Sequence, residues 1–382
     1  MKKKWISDVN CTGCGACANV CPKNAITIVE DSSGHLYPKI NHDLCINCNL
    51  CERICGKVFS LKTNNLASPK VMAAWSKNKI IRDNSTSGGI FSELAIEIIN
   101  RKGVVVGAKY NDNNIVEHCM IDKVEDLDKI RQSKYTQSNT KQIYRKIKEK
   151  LKEKTEVLFC GAPCQVAALK TYIGDNTEFL ITVDFICRGV NSVKAYRYWL
   201  DEIENKYQQK IIKVWFKYKQ NGWKSSPLRT RIDFKNGNHI VMEDSDNIYM
   251  KGYLNHNLYI RPSCTKCKFK GLPRNSDITL ADFWGIEEKL DDDKGVSLIL
   301  LNNIKGLTLY NKVVPRLNSM EKKYDDVLKG NPALNKSTYL NKNSERFLKS
   351  LDHQPFSLCI KKYSKVNPFK RVCKRIKNFI VK

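Results

Sequence analysis

The residues of this chain that can do chemistry are its cysteines, sixteen in 382 residues. Cys11-Thr-Gly-Cys14-Gly-Ala-Cys17-Ala-Asn-Val-Cys21-Pro22 has the spacing C-x2-C-x2-C-x3-C-P. Cys45, Cys48, Cys51 and Cys55 repeat that spacing 34 residues later. Three cysteines at such short intervals wrap one face of a cubane cluster, and the fourth points away toward a second one. The expectation is two [4Fe–4S] clusters, one held by Cys11, Cys14, Cys17 and Cys55, the other by Cys45, Cys48, Cys51 and Cys21. Zinc would call for C-x2-C pairs separated by longer loops. Gly13 and Gly15 let the backbone bend closely round the sulfides and aim N–H groups at them. In the second repeat Gly56 stands where Pro22 stands in the first, which touches no ligand.

Further cysteines sit in or beside loops. Phe159-Cys160-Gly161-Ala162-Pro163-Cys164-Gln165 follows an apolar run and precedes a helical pattern, and Cys187-Arg188-Gly189 follows another apolar run. Cys264 and Cys267 form a C-x2-C in RPSCTKCKFKG. On spacing alone they suit a third cluster, a zinc site or unrelated thiols. Ser85-Thr86-Ser87-Gly88-Gly89 opens a helical pattern, a place where exposed N–H groups suit a phosphate or simply cap the helix. It is no Walker A loop, since the Gly-Lys-Ser/Thr is missing.

The elements that must position these groups alternate along the chain. AITIVE and HLYPKI, between the two cysteine repeats, read as short strands, and His35 and His42 as ordinary surface residues. LKTNNLASPK (61–70) is polar, ends near Pro69 and reads as a linker. VMAAWS, GVVVGAKY, EVLFC, EFLITVDFIC and VSLILL read as strands. GIFSELAIEIINRK, IYRKIKEKLKEK, AALKTYI and VKAYRYWLDEIENKY have helical periodicity. The expected class is mixed α/β, with a small α+β ferredoxin-like domain at the N-terminus. Expected boundaries are 1–60 for the dicluster part (repeats about 2–31 and 36–60), 61–70 for the linker, 71–310 for the main domain and 311–382 for a basic C-terminal extension.

Composition narrows the class. Hydrophobic residues make up 42%, ordinary for a globular protein, and no apolar run reaches the roughly 18 residues of a membrane span. The start is basic but has no apolar core of a secretory signal, so the expected compartment is the cytoplasm. There a disulfide framework is not expected and metal ligation is. Lys and Arg exceed Asp and Glu by 27; clusters with their thiolates lower that excess. The remainder reads as lysine-rich composition or as attraction to acidic partners, and nucleic acid is not expected as a ligand. Residues 353–382 hold nine Lys or Arg and no acid, and Val372, Cys373, Ile376, Phe379 and Ile380 fall at helical spacing. Such a tail suits peripheral contact with an anionic membrane, or a packed or frayed terminal helix.

Residues from about 70 to 310 resemble the beta subunits of coenzyme F420-reducing hydrogenase and F420-linked dehydrogenases. The resemblance rests on Ser87-Gly88-Gly89, Ser133-Lys134-Tyr135-Thr136-Gln137-Ser138, Gly161-Ala162-Pro163-Cys164-Gln165, Asp184-Phe-Ile-Cys187-Arg-Gly189, Cys264-x-x-Cys267 and Ala281-Asp282-Phe-Trp284-Gly285, in that order. Related members include a chlorophyll-derivative reductase and bacterial proteins found among polysaccharide biosynthesis genes, and the fused ferredoxin part looks most like the latter. The resemblance implies a flavin, usually FAD, beside one [4Fe–4S] cluster. Carried over, the cluster ligands are Cys164, Cys187, Cys264 and Cys267, and the flavin contacts are Ser87, Gly88, Gly89, Ser133, Lys134, Tyr135, Gln137 and Ser138. Lys134 would sit near the ring and favour the anionic reduced flavin. Asp282 and Trp284 would close the pocket or simply pack and cap. Cys160 falls at a variable position and reads as a buried thiol; Cys119, Cys359 and Cys373 match nothing in the pattern. Arg188 stands where the family often has histidine. F420 itself is not implied, because members that do not use it share the pattern.

The function expected from these features is a relay. Clusters pass single electrons and a flavin takes one or two, so the chain would move electrons between a redox partner such as a ferredoxin and a small-molecule acceptor. The alternative is an electron-transfer subunit or carrier with no substrate site of its own.

Overall fold

The computed structural model describes residues 10–224, 229–243 and 246–364. The helix expected in the tail at 370–382 lies outside the described residues. The dicluster part contributes the helix Ala16–Val20, a hairpin of β1 (Ile26–Glu30) and β2 (Leu36–Ile40), and the helix Leu50–Phe59. The eight-stranded sheet of the body is built from β3 (Lys70–Ser76), β4 (Val104–Tyr110), β5 (Val116–Ile121), β6 (Val157–Cys160), β7 (Leu180–Phe185), β11 (Ile278–Asp282), β12 (Ser297–Leu301) and β13 (Leu317–Lys322). Between β7 and β11, β8 (Ile211–Trp215), β9 (Thr230–Phe234) and β10 (His239–Met242) form a separate antiparallel sheet.

The order in the large sheet is β13-β3-β12-β11-β7-β6-β4-β5. Its centre, β4, β6, β7 and β11, is parallel; the flanking pairs are antiparallel. Strands buried on both faces need continuous apolar runs, and VLFC and SLILL supply them. On one face the helix Ile90–Asn100 buries Ile90, Leu94 and Ile98, spaced at four, beside Leu309 and Val313 of the helix Ile304–Val313. On the other, Ile143, Ile147 and Leu151 of the helix Ile143–Lys152 pack with Val166 and Leu169 of the helix Pro163–Ile173. Ala16, Ile54 and Val58 of the dicluster part join this second layer, so the two parts share one core. A third core gathers the helix Val193–Tyr207, the small sheet and the helices Ile248–Leu254, Ser344–Ser350 and Phe356–Tyr363.

Two expectations are corrected here. The boundary set at 310 falls inside the helix Ile304–Val313, and residues 311–364 are no extension: β13 pairs with β3, and Phe347, Phe356 and Cys359 are core residues. His35 is no surface residue. It is 1% exposed, and burial with the nearby Arg261 cation lowers its pKa to about 3. The segment 61–70 is pinned rather than loose, since Asn65 Nδ2 donates to the carbonyls of Arg274 and Ser276, each at 2.8 Å.

Candidate functional site

The N-terminal cysteines are shaped by glycine. Gly13 and Gly15 take left-handed conformations, φ 67° and 81°, and the helix Ala16–Val20 starts directly after them. A Cβ on Gly13 would collide with the Gln137 amide and the Leu36 carbonyl, and one on Gly15 with the Thr140 hydroxyl. The body therefore presses on this loop as closely as a backbone allows. The Cys17 thiol is pushed well up by burial and then by the thiols of Cys14, Cys11 and Cys55. Cys55 is thus close enough to act on Cys17 of the first trio. Cys21, Cys45, Cys48 and Cys51 line one small pocket together. Thiols crowded in a dry place become thiolates only against a compensating cation, which iron supplies.

The parallel strands aim two further cysteines at one sheet edge, and a 3-10 turn adds two more. Cys164 lies in the first turn of the helix after β6, Cys187 follows β7, and Cys264 and Cys267 lie in and just after the 3-10 turn Pro262–Lys266. Burial raises the Cys164 thiol, and the thiols of Cys14, Cys187, Cys267 and Cys264 raise it further. The other three are thus near enough to act on Cys164, and so is Cys14 of the first set. Burial and the Cys264 thiol push Cys187 up to about 12. Lys270 donates to the carbonyls of Cys187 and Ala333, which holds a cation against this group. The donor set fits a thiolate-ligated cluster. Among the described residues no three His, Cys, Asp or Glu side chains are gathered so as to hold a single metal ion, the eight cysteines of the dicluster part included.

Beside this group opens a cleft of about 1080 Å³. Such edges of α/β sheets are where ligands bind, and pockets for small organic ligands run to roughly 1,000 Å³. Cys160, Cys164 and Cys187 form part of its lining; Ser87, Gly89, Ser133, Lys134, Tyr135 and Ser138 form another part. The serine–glycine turn is rigidly held. Ser87 Oγ donates to the Val296 carbonyl at 2.9 Å, Gly88 N to Ser297 Oγ at 2.9 Å, and Lys219 Nζ to the Ser87 carbonyl at 2.8 Å. Thr86 Oγ1 accepts from Ser133 N at 2.9 Å and so ties this turn to the 133–138 loop. Gly89, at φ 91°, caps the helix Ile90–Asn100 and presents its N-terminus to the cleft. Lys134 donates to the carbonyls of Arg131 and Gln132 at 2.7 and 3.3 Å, and burial lowers its pKa to about 7. N–H groups at a helix start and nearby cations fit the phosphates of a flavin nucleotide.

Two expected flavin contacts are engaged differently from the rest. Gly88 is packed under the turn, where a Cβ would meet the Ala74 carbonyl, and is not among the lining residues. Gln137 lines the cleft, but its amide is spent on docking: Nε2 donates to the Thr12 carbonyl at 3.0 Å and Oε1 accepts from Arg261 Nη1 at 2.8 Å. Arg188 reaches the carbonyls of Tyr253 and Leu254 and stacks on the Tyr253 ring. Cys160 lines the cleft and is only partly buried, and desolvation pushes its thiol up to about 12, which keeps it a neutral thiol at ordinary pH.

Sequence reasoning missed three features. Lys217 is 3% exposed, paired with Asp282 at 2.5 Å, and lies 4.2 Å from the Trp284 ring centroid. Trp223 stacks on Trp284 at 4.5 Å and 7°. Arg261 and Arg145 clamp the dicluster part to the body. None carries a local signal, because each partner is distant along the chain.

Residues 10–57 match a 4Fe-4S dicluster domain. Residues 71–144 and 154–326 match the N-terminal and C-terminal parts of the coenzyme F420 hydrogenase/dehydrogenase beta subunit. One subunit of the F(420)H(2) dehydrogenase of Methanosarcina mazei is 27% identical over 188 residues, 46% of this chain and 53% of that protein. An iron-sulfur subunit of the CoB–CoM heterodisulfide reductase of Methanocaldococcus jannaschii is 37% identical over 68 residues, 14% of this chain and 10% of that protein. The chain therefore spans about half the length of the first curated relative and a tenth of the second. A solved chain of the F420-reducing [NiFe] hydrogenase complex from Methanosarcina barkeri aligns at 17% identity and TM-score 0.48, over 76% of this chain and 93% of that one.

Proposed function

Because this chain belongs to the coenzyme F420 hydrogenase/dehydrogenase family of beta subunits and carries a 4Fe-4S dicluster domain ahead of that body, we propose that it is an iron–sulfur flavoprotein relaying electrons between a redox partner protein and a small-molecule acceptor. The partner would be a protein of the ferredoxin kind. One observation carries the reading: Cys14 of the dicluster part lies beside Cys164, and Cys164 and Cys187 border the cleft that Ser87, Ser133 and Lys134 also line. The three candidate sites are thus contiguous.

Cys11, Cys14, Cys17 and Cys55 would hold one cluster, Cys21, Cys45, Cys48 and Cys51 a second, and Cys164, Cys187, Cys264 and Cys267 a third. The cleft would hold FAD or another flavin, which supplies the change between one- and two-electron chemistry. The helix start at Gly89 would receive phosphate, and Lys134, with its pKa near 7, would hold or give up a proton beside the bound group. Lys217 and the stacked Trp223 and Trp284 keep one wall of the cleft rigid. Exposed Lys224 and Lys336 line it too and favour an anionic acceptor, F420 among the candidates. Oxygen-labile thiolate sites suit a reducing compartment such as the cytoplasm. Among the described residues no helix is long and apolar enough to cross a membrane.

The test is anaerobic purification with iron and flavin counted on one sample. About twelve irons and one flavin per chain are expected. About eight irons and no flavin would overturn the relay. A second reading, an electron-transfer subunit without a substrate site, is favoured by the matched relatives being named as subunits. A flavin that reoxidises only when another protein is added would select it.

A further inference from the structure

Arg261 has no part in the relay as described so far, yet it sits at the centre of it. The side chain is 0% exposed and lies over the Tyr37 ring, 4.3 Å from its centroid. Nε donates to the Cys11 carbonyl and Nη1 to Gln137 Oε1, both at 2.8 Å. Nη2 is buried and meets no acceptor. Among the described residues no carboxylate pairs with this guanidinium. A cation taken wholly out of water needs negative charge close by.

Thiolates of two separate ligand sets border it and can supply that charge, beside the more distant Asp31 carboxylate, which acts on the same His35 and Tyr37. Through Cys11 it touches the first set. It also precedes the turn Pro262–Lys266, where Cys264 N donates to its own carbonyl at 3.0 Å, and so it borders the third set.

Resting on the reading of Cys164, Cys187, Cys264 and Cys267 as a third ligand set, we propose that Arg261 is a positioning residue for electron transfer, the shared counter-cation of the first and third sets. Its sign is fixed by electrostatics. Reduction adds one negative charge to a ligand set, and a buried cation beside it favours that state, so removing the cation lowers the potential. An electron passed from one set to the other stays beside the same cation. Arg261 therefore eases reduction of both without opposing transfer between them. Lys270 differs: it donates to the carbonyls of Cys187 and Ala333 and borders the third set alone.

The experiment is an anaerobic redox titration of the full, iron-loaded chain followed by EPR, with iron counted on the same sample. Arg261→Gln lowers two of the three midpoints by a tenfold change in the reduction equilibrium or more, about 59 mV for one electron. Arg261→Lys, which keeps the charge, stays near wild type, and Lys270→Gln lowers one midpoint only. Gln137→Glu sets a carboxylate against the guanidinium and lowers the same two midpoints with Arg261 still in place. That variant decides the matter should Arg261→Gln fail to load iron. About twelve irons with midpoints unmoved in Arg261→Gln or Gln137→Glu overturns the proposal and leaves the relay standing. So does an Arg261→Lys shift as large as that of Arg261→Gln. About eight irons in the wild type removes the third set, and the relay reading and this proposal fall together.

Discussion

Arg145 offers the sharpest test of how the dicluster part is held. It projects from the helix Ile143–Lys152 onto the end of the helix Ala16–Val20, whose last carbonyls have no partners within so short a helix. Nε donates to the Asn19 carbonyl at 2.7 Å, Nη2 to the Cys21 carbonyl, and Nη1 to Asn24 Oδ1 at 2.6 Å. A hydrogen bond from a charged donor contributes about 1.5–3 kcal/mol, and the low end applies here because the guanidinium is only half-buried. Counting the two carbonyl bonds and a few tenths from the helix dipole, Arg145→Met should cost about 3 kcal/mol of docking, roughly a hundredfold in the opening equilibrium. The assay is amide hydrogen exchange of residues 16–20 in the iron-loaded chain under anaerobic conditions, which reads local opening directly. About a hundredfold faster exchange is expected for Met. Lys should fall between, since one ammonium cannot replace a planar fork. Exchange within twofold of wild type in Arg145→Met would refute the clamp, because the dicluster part would then be held by its apolar contacts alone.

Two further predictions concern buried charge. Burial lowers Lys134 from an ordinary value of 10.5 to about 7. Between these values the unfolded chain binds a proton that the folded chain does not, so stability rises with pH across that window. Lys134→Met should make the flavin-free chain more stable than wild type near pH 7, with the gap closing toward pH 10.5. Urea unfolding at a series of pH values checks this, and a gap that widens with pH contradicts it. Asp184 and Arg274 form a pair at 2.7 Å, their side chains 0% and 2% exposed, and Thr279 Oγ1 donates to the other carboxylate oxygen at 2.6 Å. Asp184→Asn strands the guanidinium, at a cost of about 3–5 kcal/mol and a fall in Tm of about five degrees. A thermal scan showing a change of only a degree or two would mean that water or the Phe269 carbonyl, 3.1 Å from Arg274 Nη1, compensates the lost charge.

What could be read in the sequence was whatever depends on neighbours along the chain. VLFC and SLILL are strands because a sheet covered on both faces demands unbroken apolar runs. The cysteine repeat speaks because cluster geometry fixes spacing over a dozen residues. β13 escaped because LNSMEK, at the sheet edge, has only Leu317 buried and shows no apolar pattern. The docking role of Gln137 escaped for a related reason: it lies in a loop that lines the cleft, while its amide reaches 125 residues back to Thr12. Arg261 reaches 250 residues back to Cys11. Residues of this kind hold two separately legible parts in register. A relay of electrons depends on that register, because Cys14 comes near enough to act on Cys164 only when the parts are docked. The polar clamp of Arg145, Gln137 and Arg261 thus belongs to the function as much as the thiols do. Loosening it should slow electron flow before any cysteine is lost.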